Sequence, residues 1–162
     1  MKRLYIVRHA KSSWKAHDTR DFDRTLDERG ERDLPFMADK LNDLNVKPDY
    51  IISSPACRAI TTARGLAEGI GFDSNKIDEH ENIYESSVEE MLKSISTIGD
   101  EIDELMIVGH NPSVTFLVYQ LCGEMLHKYS TCGIFAIDFD VQSWSELKNG
   151  KKVFWIYPKL YT

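Results

Sequence analysis

Short apolar runs separated by longer stretches of mixed polarity set the plan of this chain. Leu4-Tyr5-Ile6-Val7 is an unbroken apolar run containing β-formers, the pattern of a strand buried on both faces. Residues 50–53 and 105–108 read in the same way. Between these runs the apolar positions fall at helical spacing. A helix is predicted from Asp27 as N-cap to about position 44, with Leu34, Met37, Leu41 and Leu44 on one face and Pro35 expected to bend it. A second starts at Ser54-Pro55, a cap followed by a proline at the first helical position. It carries Ala59, Ile60, Ala63, Leu66 and Ala67 and ends at Gly69 or Gly71.

Residues 82–84 form a short strand candidate. Ser87, with Glu90 three positions on, makes a capping box before Met91, Leu92, Ile95 and Ile98. Pro112 opens a further helix containing Val114, Leu117, Val118 and Leu121. Two later runs, 134–139 and 153–157, flank a Ser/Asn/Gly-containing connection and predict an antiparallel pair. Strand-helix alternation up to that tail predicts an α/β fold: one domain spanning 1–162, a three-layer sandwich with a mostly parallel central sheet and helices on both faces. Residues 11–24 are polar without periodicity and read as a surface loop, of a length that is often functional.

Composition narrows the function. With 162 residues, 42% hydrophobic and 28% charged, the chain is ordinary globular material. A net charge of -6 argues against nucleic acid or an anionic membrane as the main partner, while leaving room for a local cationic pocket. Met1-Lys2-Arg3 and four apolar residues are too short for a signal peptide or membrane helix. Cys57, Cys122 and Cys132 show neither a CxxC pair nor a dense framework, so reduced thiols and a cytoplasmic location are expected.

The chemistry lies where the strands end. Arg8-His9 follows the first apolar run and Gly109-His110 the third, while Arg58 lies just past the second in the first turn of its helix. Open α/β sheets bind ligands outside the carboxyl ends of their strands. Two guanidiniums and two imidazoles gathered there suit a phosphoryl group, because each arginine offers a planar fork to two oxygens at once. A nucleophilic imidazole also needs one N–H held by an acceptor, which a nearby loop carbonyl could supply. His17, His80 and His127 read as bystanders. No cysteine has an arginine six positions on, and there is no GK[ST] loop and no HExxH. Cysteine-dependent phosphatases, P-loop kinases and zinc hydrolases of those types are thereby excluded.

Arg8-His9-Ala10 resembles the Arg-His-Gly signature of the histidine phosphatase (phosphoglycerate mutase-like) superfamily. Ser54-x-x-x-Arg58-Ala59-x-x-Thr62-Ala63 is similar to its second motif, and Val108-Gly109-His110 to its third. The string Arg8 through Trp14, then Asp21-Phe22-Asp23-Arg24-Thr25-Leu26 and Arg29-Gly30, resembles the short SixA-type phosphohistidine phosphatase branch, and the match runs in order to Ile156-Tyr157-Pro158-Lys159. The resemblance implies that His9 attacks phosphorus and carries the phosphoryl group. Arg8, Arg58 and His110 would hold the equatorial oxygens, with no metal and no cofactor, before water releases phosphate. Glu85 falls where many members place the acid that protonates the leaving oxygen, although an imidazole leaving group needs less such help. Ser12, Ser13 and Lys11 could donate to phosphate from the loop as peripheral contacts. Trp14 pins the loop or touches substrate. Ala10 replaces the usual glycine and needs only a negative φ.

The expected partner is a phosphorylated substrate, first a phosphohistidine side chain of a protein and second a small phosphorylated metabolite. Lys15 stands where sugar-phosphate enzymes often carry asparagine, and the chain is short for a mutase. Both weaken the mutase reading. A phosphate-binding module without turnover is the non-enzymatic alternative, and the four core residues speak against it.

Overall fold

The computed structural model describes residues 1–14 and 19–162. Lys15 and His17, named above, lie outside the described residues. Six strands form one mixed sheet in the order β3-β2-β4-β1-β5-β6. They are β1 (Lys2–Arg8), β2 (Tyr50–Ser53), β3 (Asp78–Glu79), β4 (Glu104–Gly109), β5 (Ile134–Phe139) and β6 (Lys151–Ile156). β1, β2, β3 and β4 pair in parallel, and β5 runs antiparallel to both β1 and β6. The helices are α1 (Glu28–Asp43), α2 (Cys57–Ile70), α3 (Val88–Ser96) and α4 (Ser113–Cys122).

Alternation along the strands divides the core into two. Tyr5 and Val7 of β1 face a cluster with Met37 and Leu41 of α1 and Ala63 and Leu66 of α2. Leu4 and Ile6 face the opposite cluster, with Met91 and Ile95 of α3 and Leu117 and Val118 of α4. Both faces of the central strands are covered, which is why their sequences are apolar throughout rather than alternating. The expected three-layer sandwich, mostly parallel, is what forms.

Local signals acted mostly where expected. Asp27 Oδ1 accepts from Gly30 N at 2.8 Å, and Ser87 and Glu90 make the full capping box. Gly71 closes α2 at φ 81. α1 runs through Pro35 as one helix, and Leu44, expected on its buried face, is instead its exposed C-cap.

Three further expectations are corrected. Residues 82–84 are not a strand: Glu81–Ile83 is a single 3₁₀ turn that buries Ile83 alone, and the short strand is Asp78–Glu79 just before it. α2 begins at Cys57 rather than at Ser54-Pro55, because Ser54 N still donates to Val108 O at 3.0 Å and keeps the chain extended. The 11–24 segment, read as surface loop, is partly buried: Ser12 pairs with Leu26, and Ser12 and Arg24 are both buried.

Gly30 marks where this segment meets α1. A Cβ there would lie 2.1 Å from the Lys11 carbonyl oxygen, which also accepts from Asp27 N at 3.0 Å. That neighbour is backbone and cannot rotate away. Gly30→Ala is expected to lower the unfolding free energy by about 2 kcal/mol, as overpacking does. Urea denaturation checks this, and a loss below roughly 0.5 kcal/mol would show that the Lys11 segment yields freely.

Candidate active site

Register places the three strand exits side by side. Arg8 pairs with Gly109, and Ser53 pairs with Val108, so β4 stands between β1 and β2. The ladder reaches one residue further, His9 N donating to Gly109 O at 3.1 Å. His9 and His110 consequently emerge as neighbours, with ring centroids 5.2 Å apart. Arg58 sits on the first turn of α2 beside them, buried like both histidines.

The His9 segment is braced from two sides. Cys132, held at φ 60, donates its N–H to the Arg8 and His9 carbonyls at 3.0 and 3.1 Å. On the other side Ala10 N donates to Thr62 Oγ1 at 2.9 Å, and that hydroxyl donates to Arg58 O at 2.7 Å. One threonine thus ties the His9 segment to the helix that carries Arg58. Ala10 is fully buried and is not among the residues with positive φ, so its methyl group is accommodated.

His9 Nδ1 lies 2.8 Å from Ala10 O. A carbonyl can only accept, so Nδ1 carries the proton and Nε2 keeps its lone pair. Burial, with His110, Arg58 and Arg8 nearby, depresses the His9 pKa to about 3, against the weaker opposing pull of the Ala10 carbonyl. Burial and Arg58 depress that of His110 to about 4, Asp21 opposing. Both rings are neutral at physiological pH. His110 Nε2 is 2.8 Å from Ser54 Oγ, which also accepts from Ala56 N at 3.2 Å. Ser54 is fully buried, and His110 Nε2 is the acceptor that satisfies its hydroxyl proton. His110 Nδ1 then bears the N–H.

Four buried side-chain polar atoms lack a hydrogen-bond partner among the described residues. Three are Arg8 Nε, Arg58 Nε and His110 Nδ1. Buried donors are seldom left unpaired, and here all three belong to the cationic and imidazole groups named from sequence. Arg8 is anchored instead through Nη1 to Tyr129 O at 2.6 Å.

Arg58 has a partner that sequence reasoning missed. Its Nη1 donates to Asp21 O at 2.7 Å and its Nη2 to Asp21 Oδ2 at 3.0 Å. Tyr84 donates its hydroxyl to the same carboxylate at 2.7 Å, and Arg24 Nε donates to Oδ1 at 3.1 Å. Burial works against ionisation, but Tyr84, Arg58 and Arg24 outweigh it and hold the Asp21 carboxyl at about 2. Asp21 therefore cannot donate a proton near neutrality. Only its place in the Asp21-to-Leu26 string pointed to it.

Ser12 Oγ accepts from Arg24 Nη1 at 2.9 Å, a bond that ties its oxygen to the loop network and does not use its own O–H. Trp14 is exposed and stacks under the Arg24 guanidinium, 3.5 Å from ring centroid. Glu85 is exposed at φ 52, a strained backbone for a non-glycine residue. It lines a cavity of about 360 Å³ with Arg58, Tyr84, His110 and Asn111. The structure thus gathers Arg8, His9, Arg58 and His110, sets Glu85 at the rim and leaves Ser12 in the loop.

The profile of the histidine phosphatase superfamily (branch 1) matches residues 4–124. The chain belongs to that superfamily. A chloroplastic protein of Arabidopsis thaliana, itself uncharacterized, is 30% identical over 153 residues, covering 90% of this chain and 70% of its own. Among solved structures, a protein from Agrobacterium tumefaciens provisionally assigned as the phosphohistidine phosphatase SixA superposes with a TM-score of 0.84 at 29% identity, covering 97% of this chain and 98% of its own. The protein histidine phosphatase SixA in complex with tungstate superposes with a TM-score of 0.85 at 22% identity, covering 99% of each chain. Among the described residues no helix is long and apolar enough to cross a membrane.

The depressed histidine values fix the sign of an acid effect. Unfolded histidines take up protons as pH falls through about 6.5, whereas folded His9 and His110 resist until about 3 and 4. The unfolded state then binds more protons, so stability present above that range is lost as pH falls through it. NMR titration is expected to show both rings essentially neutral between pH 6 and 8. A midpoint near 6.5 for His9 would remove the basis for a neutral, oriented imidazole.

Proposed function

We propose that this protein is a phosphatase that works through a covalent phosphohistidine on His9, with the phosphohistidine side chain of another protein as its substrate. The observation carrying this reading is the His9 Nδ1 contact to Ala10 O at 2.8 Å in a ring kept neutral by burial. It leaves Nε2 as an oriented nucleophile without any external base.

In the first step the Nε2–P bond forms as the bond from phosphorus to the leaving nitrogen or oxygen breaks, the electron pair departing with the leaving group. Arg8, Arg58 and the His110 Nδ1–H supply donors to the equatorial oxygens, where negative charge redistributes. Their unpaired buried atoms support that assignment. In the second step water attacks phosphorus, the P–N bond breaks, and His9 is regenerated with release of inorganic phosphate. The chain's own residues account for both steps, so we assign no metal or cofactor. Ser12, whose oxygen accepts from Arg24 Nη1, keeps its O–H as a peripheral donor to phosphate. Glu85, at the cavity rim, is the candidate acid for alkoxide leaving groups.

Support for a protein substrate comes from the likeness to the Agrobacterium protein and from a cavity mouth bounded by exposed Glu85 and Asn111. Small phosphorylated metabolites are the second substrate class. We also read residues 1–162 as one domain and place it in a reducing compartment, the cytoplasm, on the strength of three free cysteines.

Phosphate release from a phosphohistidine-bearing carrier should exceed release from a panel of small phosphomonoesters at equal concentration. His9→Ala should abolish it, and Arg58→Ala should lower kcat/KM by about a thousandfold, the scale of losing a main transition-state donor. Glu85→Gln should slow alkyl phosphates and spare phosphohistidine. Faster turnover of a metabolite than of the carrier would reassign the substrate, and equal Glu85→Gln losses on both would overturn its role.

A further inference from the structure

The fourth buried atom without a partner among the described residues is Asp33 Oδ2, which belongs to none of the residues gathered at the candidate active site. Asp33 lies on α1 and is 8% exposed. The nearest cation, Arg29 Nε, stands 3.7 Å from Oδ2, too far for a hydrogen bond. Asp33 also lines a cavity of about 390 Å³ between α1 and the C-terminal 3₁₀ turn Pro158–Tyr161, together with Arg29, Arg32, Phe36, Pro158 and Lys159. None of these residues belongs to the phosphoryl site.

The lining has a definite chemical order. Phe36 and Pro158 give flat apolar walls, and the Phe36 ring is fixed edge-on to Tyr161 with centroids 6.0 Å apart. Arg32 and Lys159 are exposed cations at the mouth. Asp33 is an acceptor deep in the wall that lacks a donor. Small-ligand sites are typically built in this way, largely apolar with a few polar groups that fix orientation, and a volume of about 390 Å³ is within their range. Burial outweighs the pull of Arg29 and Arg32 and raises the Asp33 carboxyl above the ordinary carboxylate range, as expected for a buried acid with no donor to stabilise its charge.

We propose that this cavity is a second ligand site, for a small aromatic carboxylic acid that carries an N–H or O–H donor. The ring packs between Phe36 and Pro158, the carboxylate meets Arg32 and Lys159, and the donor reaches Asp33. The proposal does not depend on the phosphatase reading.

Titration of the ¹⁵N-labelled protein with 4-aminobenzoate tests it, with benzoate lacking the donor and aniline lacking the carboxylate. Saturable amide shifts are expected at Arg32, Asp33, Phe36 and Lys159, with 4-aminobenzoate binding about tenfold more tightly than either comparison compound. Arg32 is exposed, so Arg32→Glu changes charge without disturbing packing, and it should remove the advantage over aniline. Asp33→Asn, checked for folding by thermal melt, should remove the advantage over benzoate. Equal binding of the three compounds, shifts centred elsewhere, no saturable shift, or unchanged affinity in Arg32→Glu would each overturn the assignment.

Discussion

A parallel ladder between β1 and β4, extended one residue beyond the strands by His9 N to Gly109 O, underlies everything at the candidate site. It brings together residues 101 positions apart in sequence and fixes the two imidazoles before any side chain chooses a rotamer. The apolar runs that make the ladder are insoluble as isolated segments, and covering both sheet faces with helices satisfies them. The same covering buries the strand ends. Folding and site construction are therefore one event: the burial that stabilises β1 also desolvates His9.

Desolvation decides the electrostatics. An imidazole at the surface would be partly protonated near neutrality, and a protonated ring has no lone pair to offer phosphorus. Burial and three cationic or imidazole neighbours disfavour the charged form, and the Ala10 carbonyl selects the tautomer. Arg8 and Arg58 thus help keep the His9 ring neutral, and in the proposed mechanism the same two groups offer donors to an anion. The chain as a whole carries a net charge of -6, so this positive potential is local to the cleft. Asp21, held ionised by Tyr84, Arg58 and Arg24, orients the terminal nitrogens of Arg58 while leaving Nε free.

The parts legible in sequence were those governed by short-range pattern. Leu4-Tyr5-Ile6-Val7 reads as a strand because both faces are buried, and Arg8-His9 is then at its end. The less legible parts depend on tertiary partners. Ser54 was read as a helix cap, but its backbone stays in the sheet and its hydroxyl serves His110, a residue 56 positions away. Residues 82–84 misled because one buried side chain, Ile83, is too little to separate a strand from a turn. Asp21 sits in a segment without periodicity, and its importance follows only from the fold of that segment over Arg58. The Asp33 cavity has no local signature, since its walls come from α1 and from the chain's last turn.

The central claim is that the phosphoryl group passes through Nε2 of a tautomer-locked His9. Rapid quench under alkaline conditions during turnover of a phosphohistidine carrier, followed by ³¹P NMR of the isolated peptide, tests it most directly. The account predicts an acid-labile phosphoramidate on residue 9, attached at Nε2. Attachment at Nδ1, label on another residue, or turnover with no trapped phosphoenzyme in any kinetic window would contradict it.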